Sequence, residues 1–216
     1  MTGTFGVLET TGLTPAMVAL DAMLKAAAVQ VFQVELNDLS GVCVKIAGAT
    51  ADVQTAIRVG QDIAGQMQGS PVSTVLTSIS ASAFPAFRSA ADFSPLIQQS
   101  VVFEPGDNVH PGNQSVHSIT IPMNQETQMA LGFIETQGFT AVFEAIDTAC
   151  KAANVEVVAK EKLGGGYVTV VIQGQLAAVE AAVQSGKETV DGLGKLIAAH
   201  VIARPSDAVL KLLPKL

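Results

Sequence analysis

Basic residues are few and dispersed in this chain: 12 Lys and Arg stand against 19 Asp and Glu in 216 residues, a formal net charge of −7. Phosphate backbones are held by clustered cations, so this balance argues against a nucleic-acid-binding protein. Aromatic residues are sparse too, with no Trp and Tyr167 as the one Tyr, which leaves little for bases to stack on. No apolar run reaches the roughly 20 residues that span a bilayer. Met1 to Phe5 carry no basic stretch leading into an apolar core, so a soluble, unexported, cytoplasmic protein is expected. Cys43 and Cys150 are the only cysteines, and each lies in an apolar stretch that suits a reduced, buried thiol.

Catalytic groupings are missing as well. There is no Gly-rich phosphate loop between a strand and a helix, and no Ser, His and Asp set at a recognisable spacing. His110 and His117 lie seven apart without a Cys or carboxylate at metal-ligand spacing and read as loop residues, while His200 reads as a structural strand residue. The expectation is no enzyme, no cofactor and no metal.

What is abundant is apolar surface: 49% of residues are hydrophobic and only 14% charged, so something must cover surface that water would otherwise cover. A partner chain would do so. The length allows one large domain or two small ones, and an internal repeat decides for two. FGVLETTGLTPAMVALDAMLKAAAVQVFQVE begins at Phe5, and LGFIETQGFTAVFEAIDTACKAANVEVVAKE begins at Leu131. Gly6, Glu9, Thr10, Gly12, Thr14, Asp21, Lys25 and Glu35 recur as identical residues at one constant offset, and the register runs on through Val42, Val44, Ile46, Gly48 and Gly60.

Each copy presents the same signals in order. A short apolar strand (Val7, Leu8; Phe133, Ile134) precedes a helix for which Thr14 is the expected N-cap and Pro15 the first-turn residue. Asp21 with Lys25, and Asp147 with Lys151, are spaced as surface ion pairs. A hairpin follows, Val29 to Leu36 with Val42 to Ala47, and Val155 to Glu161 with Val168 to Gln173. Second helices carry the stripes Val53, Ala56, Ile57, Gly60, Ala64, Met67 and Val179, Ala182, Val183, Gly186, Val190, Leu193. Gly60 and Gly186 cost about 1 kcal/mol each against Ala in a helix, which close helix-to-sheet packing would explain. Third strands, Val72 to Ile79 and Leu196 to Ala203, complete a β-α-β-β-α-β order. The fold class is therefore α/β, two tandem split β-α-β (ferredoxin-like) domains, each an antiparallel four-stranded sheet with both helices on one face. The expected division is 1–89, 90–128 and 129–216. The middle part, from Ala90 to Gln128, is a linker rich in turn signals, with room for one short strand.

The second copy, from Ala130 to Pro214, resembles the bacterial microcompartment shell domain along its full length: LGFIETQG at Leu131, CKAANVEVV at Cys150, KLGGGYVTVVIQG at Lys162 and AHVIARPSDAVLKLLP at Ala199. The first copy matches from Phe5 to Gly60 and then departs, with Thr77 to Ala81 in place of Val201 to Pro205 and no Arg-Pro pair. The order of elements is similar to that of the unpermuted tandem class. That resemblance implies a homotrimer whose six domains surround a central pore and tile the shell facet with other microcompartment shell proteins, passing small metabolites.

The resemblance also assigns sites. The hairpin turns, Asn37, Asp38, Leu39 and Ser40 in one copy and Gly164, Gly165 and Gly166 in the other, would line the pore; as bare sequence they are equally ordinary hairpin-turn chemistry. Glycines there would leave backbone N–H groups facing passing anions. Three Asp38 carboxylates at about 8 Å would instead repel one another by about 0.5 kcal/mol each even in water, unless that side chain points away into solvent. Lys25 and Lys151 complement the helix dipole at the ends of the first helices, and by resemblance they are tile-edge contacts, with Arg204 assisting from the second copy. Neither cysteine falls on the pore turn where some tandem shell proteins hold an iron–sulfur cluster. The alternative function is a soluble ligand-binding or regulatory trimer on the same fold.

Overall fold

The computed structural model describes residues 3–37, 39–97, 99–104 and 129–213. The first copy runs β1 (Thr4–Thr11), α1 (Leu13–Ala26), β2 (Val29–Leu36), β3 (Gly41–Gly48), α2 (Thr50–Gln66) and β4 (Val72–Leu76). A strap follows, with a helical turn α3 (Phe84–Phe87) and three two-residue strands, β5 (Phe93–Ser94), β6 (Gln99–Ser100) and β7 (Val102–Phe103). The second copy runs β8 (Ala130–Gln137), α4 (Phe139–Ala152), β9 (Glu156–Lys162), β10 (Tyr167–Gly174), α5 (Leu176–Glu188), β11 (Lys195–Ile202) and α6 (Asp207–Leu212). Sheet orders are β4-β1-β3-β2-β7 and β11-β8-β10-β9, all pairs antiparallel, so both copies have the split β-α-β topology.

The pleat explains the layering. Alternate residues of β8 point to opposite faces: Ala130 and Ile134 join the second copy's helices in one cluster, whereas Leu131 and Phe133 join a larger cluster made mostly by the first copy. The second sheet is thus buried on both faces, by its own helices on one side and by α1 on the other. The third strands keep the repeat register further than the sequence suggests. Leu76 pairs with Phe5 as Ile202 pairs with Leu131. The first copy's strand ends there and not at Ile79, so Ser78, not a residue beyond it, stands at the place of Arg204.

Three other expectations need correction. Thr14 is no N-cap: α1 starts at Leu13 behind Gly12, whose φ of 94° favours glycine, and Gly138 (φ 116°) does the same for α4. The stripe of α5 ends with its helix at Glu188, which leaves Leu193 exposed beyond it. Cys150 is exposed, because it stands one residue, about 100° of turn, past the buried Ala141, Ala145 and Ala149 face. The helix glycines do pack closely on the sheet, and on the neighbouring helix as well: a Cβ at Gly60 would sit 2.5 Å from Met23 Sδ of α1 and 3.0 Å from Leu8 of β1, and one at Gly186 2.7 Å from both the Ala145 carbonyl of α4 and Ile134 of β8.

Candidate functional site

The junction between the copies is built by a carboxylate and a helix end. The first amides of α1 have no partner within the helix. Glu135 of β8, fully buried, supplies one: the Leu13 amide donates to Oε1 and the Thr14 amide to Oε2, both at 2.9 Å. Burial raises the Glu135 carboxyl above its usual range, against these two amides, which favour the anion. Beside it across the sheet, Thr169 is registered with Glu135 on one side and Glu161 on the other. Glu161 is buried with Oε1 unpartnered, facing a small cavity lined by Leu13, Met17, Phe103 and Leu212, and burial pushes it up to about 8. Neither role is visible in composition or motif. The usable signal was alternation: Glu135 shares a strand face with Leu131 and Phe133, so a buried face implied a buried carboxylate.

The two hairpin turns meet at this junction. Asn37 Oδ1 accepts the amides of Leu39 (2.8 Å) and Gly41 (2.9 Å), folding the first turn on itself, with Ser40 at φ 66°. Gly164, Gly165 and Gly166 all take positive φ, at 78°, 57° and 80°. The Ser40 amide donates to the Leu163 carbonyl (3.1 Å) and the Ser40 hydroxyl to the Gly164 carbonyl (3.3 Å). A Cβ on Gly165 would approach Ser40 Oγ to 2.9 Å, so side chains are excluded where the turns touch. Leu39 stands 87% exposed at the tip. Asp38 lies outside the described residues, as do His110 and His117.

At the other end of α1, Lys25 Nζ donates to Asp21 and to the Arg204 carbonyl of the second copy, and the Ser206 amide donates to Asp21 Oδ1 at 2.8 Å. The Asp21–Lys25 pair is therefore half inside a joint, with the carboxylate buried and the ammonium half exposed. Its counterpart, Asp147 with Lys151, is exposed throughout, and the carboxylate raises the Lys151 ammonium. His200 lies in β11, where burial lowers it.

On the first copy's sheet, the strap covers the face that α1 covers on the second. Phe84 and Phe87 pack on Phe5 and Phe32, with Phe5 and Phe87 centroids 5.1 Å apart. Lys45 lies beneath, buried, bonded to Glu35, Gln33 and the Phe87 carbonyl and 4.8 Å from the Phe87 ring centre. The rest of that face stays open: Glu9 is exposed and Cys43 partly so, its thiol pushed up to about 11 by burial. Among the described residues no cluster of three or more His, Cys, Asp or Glu could hold a metal, and no helix is long and apolar enough to cross a membrane.

The model of the BMC domain matches twice, over residues 4–80 and 130–205. Bacterial microcompartment shell protein PduA of Citrobacter freundii is 48% identical over 88 residues, 41% of this chain and 95% of the relative. Major carboxysome shell protein CsoS1A of Halothiobacillus neapolitanus is 46% identical over 94 residues, 43% of this chain and 96% of the relative. A crystal structure of a microcompartment protein from Desulfitobacterium hafniense DCB spans 97% of this chain and 99% of its own, at 23% identity and a TM-score of 0.36.

Proposed function

We infer the function from one premise: the chain belongs to the BMC domain family. Its curated relatives are microcompartment shell proteins, and we propose that this chain is a structural shell protein of the same kind. Three copies close into a ring of six domains, which tiles the wall of a cytoplasmic microcompartment and performs no turnover. The contact of Ser40 with Leu163 and Gly164 carries this reading. It holds the two turns side by side, at one end of two domains that also lie side by side, and repeating such a head-to-tail joint around a threefold axis brings six turns round one opening.

In that ring Leu39 and Gly165 alternate at the rim. Asn37, Ser40, Gly164 and Gly166 stand behind them, with Asp38 between Asn37 and Leu39 in sequence. The rim passes small metabolites. Lys25, Lys151 and Arg204 are the contacts to neighbouring tiles; Lys151, bonded among the described residues to Asp147 of its own copy and not across the joint as Lys25 is to the Arg204 carbonyl, is the more available of the two lysines.

Co-expression with a single-domain shell protein, followed by electron microscopy and protein analysis of the purified assemblies, tests the reading. The chain is expected inside sheets or closed shells. A discrete particle that stays out of them and binds a nucleotide or metabolite tightly would instead make it a regulatory trimer.

A further inference from the structure

The repeat sets one carboxyl in two environments. At an offset of 126 residues Glu161 corresponds to Glu35, and Val171 to Lys45. In the first copy the charge is offset, because Lys45 and the Ser89 hydroxyl both donate to Glu35. In the second copy buried Val171 takes the cation's place, and among the described residues no Lys, Arg or His pairs with Glu161. A buried carboxylate without a counter-ion is so costly that the group keeps its proton instead. Burial accordingly pushes Glu161 up to about 8, against the Gln99 side chain and the Lys162 amide, which favour the anion.

The charged groups on the surrounding elements are engaged elsewhere. Glu135 of β8 lies across Thr169 from Glu161 and holds the Leu13 and Thr14 amides. Asp21 and Lys25 pair with each other in the second half of α1, Glu104 beside β7 pairs with Arg88, and Asp207 and Lys211 of α6 are exposed. Lys160 and Lys162 flank Glu161 on β9 and by alternation point to the opposite face.

The cavity that Glu161 faces has about 10 Å³ of free space, room for one water, and its other walls are apolar: Leu13 and Met17 of α1, Leu36 of β2, Phe103 of β7, and Leu212 and Leu213 at the end of α6. One water cannot hydrate a carboxylate, so ionisation requires the walls to part. The weakest wall is α6, six residues long and tied at its start by the Ser206 amide on Asp21. Water entering there also reaches the hydroxyls of Thr169, opposite Glu161 in register, and of Thr14, next to Leu13; both are buried without a partner among the described residues. We propose that the joint between the copies is a proton-operated latch, closed over a neutral Glu161 and opened along its α1–α6 side when that carboxyl ionises. The latch lies inside one chain, so it stands or falls separately from the ring.

Hydrogen exchange of the full chain, read by mass spectrometry and corrected for the intrinsic pH dependence of amide exchange, tests it. Opening releases one proton from Glu161, so protection of the first turn of α1 and of α6 should fall by about tenfold per pH unit from pH 6 to about 8 and then level off. Helix α5, on the other face of the second sheet, should keep its protection. Glu135, also raised by burial, adds a fall of the same sign, so the share of Glu161 is the part of the slope that Glu161→Gln removes. Protection that falls no faster in the joint than in α5, or a Glu161→Gln variant that keeps the full slope, overturns the latch. Should that variant not fold, carbon-13 NMR of the Glu161 carboxyl in the wild type decides: titration at the pH where protection levels off supports the latch, and titration in the ordinary carboxylate range overturns it.

Discussion

Glu135 couples two domains through two hydrogen bonds because both groups it joins are otherwise without partners: a buried carboxylate and the first amides of a helix. Removing it leaves two buried donors unsatisfied. Glu135→Ala should therefore lower stability by about 2–3 kcal/mol, measured by urea unfolding at fixed protein concentration. Glu161 acts through its proton. Its folded carboxyl titrates near 8 and the ordinary one near 4.5. Between those values the folded chain holds a proton that the unfolded chain has lost, so stability is complete below the lower value and declines as pH rises to the upper one. Between pH 7 and pH 8.5 the raised Cys43 thiol and Glu135 carboxyl add a decline of the same sign, so the part due to Glu161 is the difference between the wild type and Glu161→Gln. Glu161→Gln should make the decline shallower, and an equal decline in the variant would assign it elsewhere. Neither carboxylate was legible as functional in the sequence. Glu9 and Glu135 are the same letter in the same motif, and only packing separates a solvated residue from a buried clamp.

The same holds for whole elements. Strand and helix order could be read from hydrophobic period and the repeat, because those depend on local alternation. Element ends could not, where a distant group sets them: α1 begins at Leu13 because Glu135 caps it, while Thr14 looked like the cap. Nor could the strap be read, since its role depends on Phe84 and Phe87 meeting Phe5 and Phe32. Its part from 105 to 128 lies outside the described residues. The helix glycines permit a sharper test. Gly186→Ala gains roughly 1 kcal/mol of helix propensity, but the new Cβ meets the Ala145 backbone, which cannot swing aside. A net loss of about 1–2 kcal/mol in thermal or urea unfolding is expected. Phe87→Ala should cost about 2–3 kcal/mol by the same measurement, because the ring covers both Phe5 and the buried Lys45 ammonium.

For the whole molecule, the proposed ring gives scarcity of charge and duplication of the chain one cause: each copy carries a helix end and a sheet face for a neighbouring copy to cover. One such pair is satisfied within the chain and one is left over. The proposed ring rests on the family resemblance, whereas the contrast between a buried α1 and an exposed α4 needed the structure. Cryo-electron microscopy of the purified full chain tests this most directly. Averages viewed down the symmetry axis should contain six lobes, with the Leu39 and Gly165 turns alternating round one central opening. Two-lobed particles, or rings in which those turns lie on the outer rim, would contradict it.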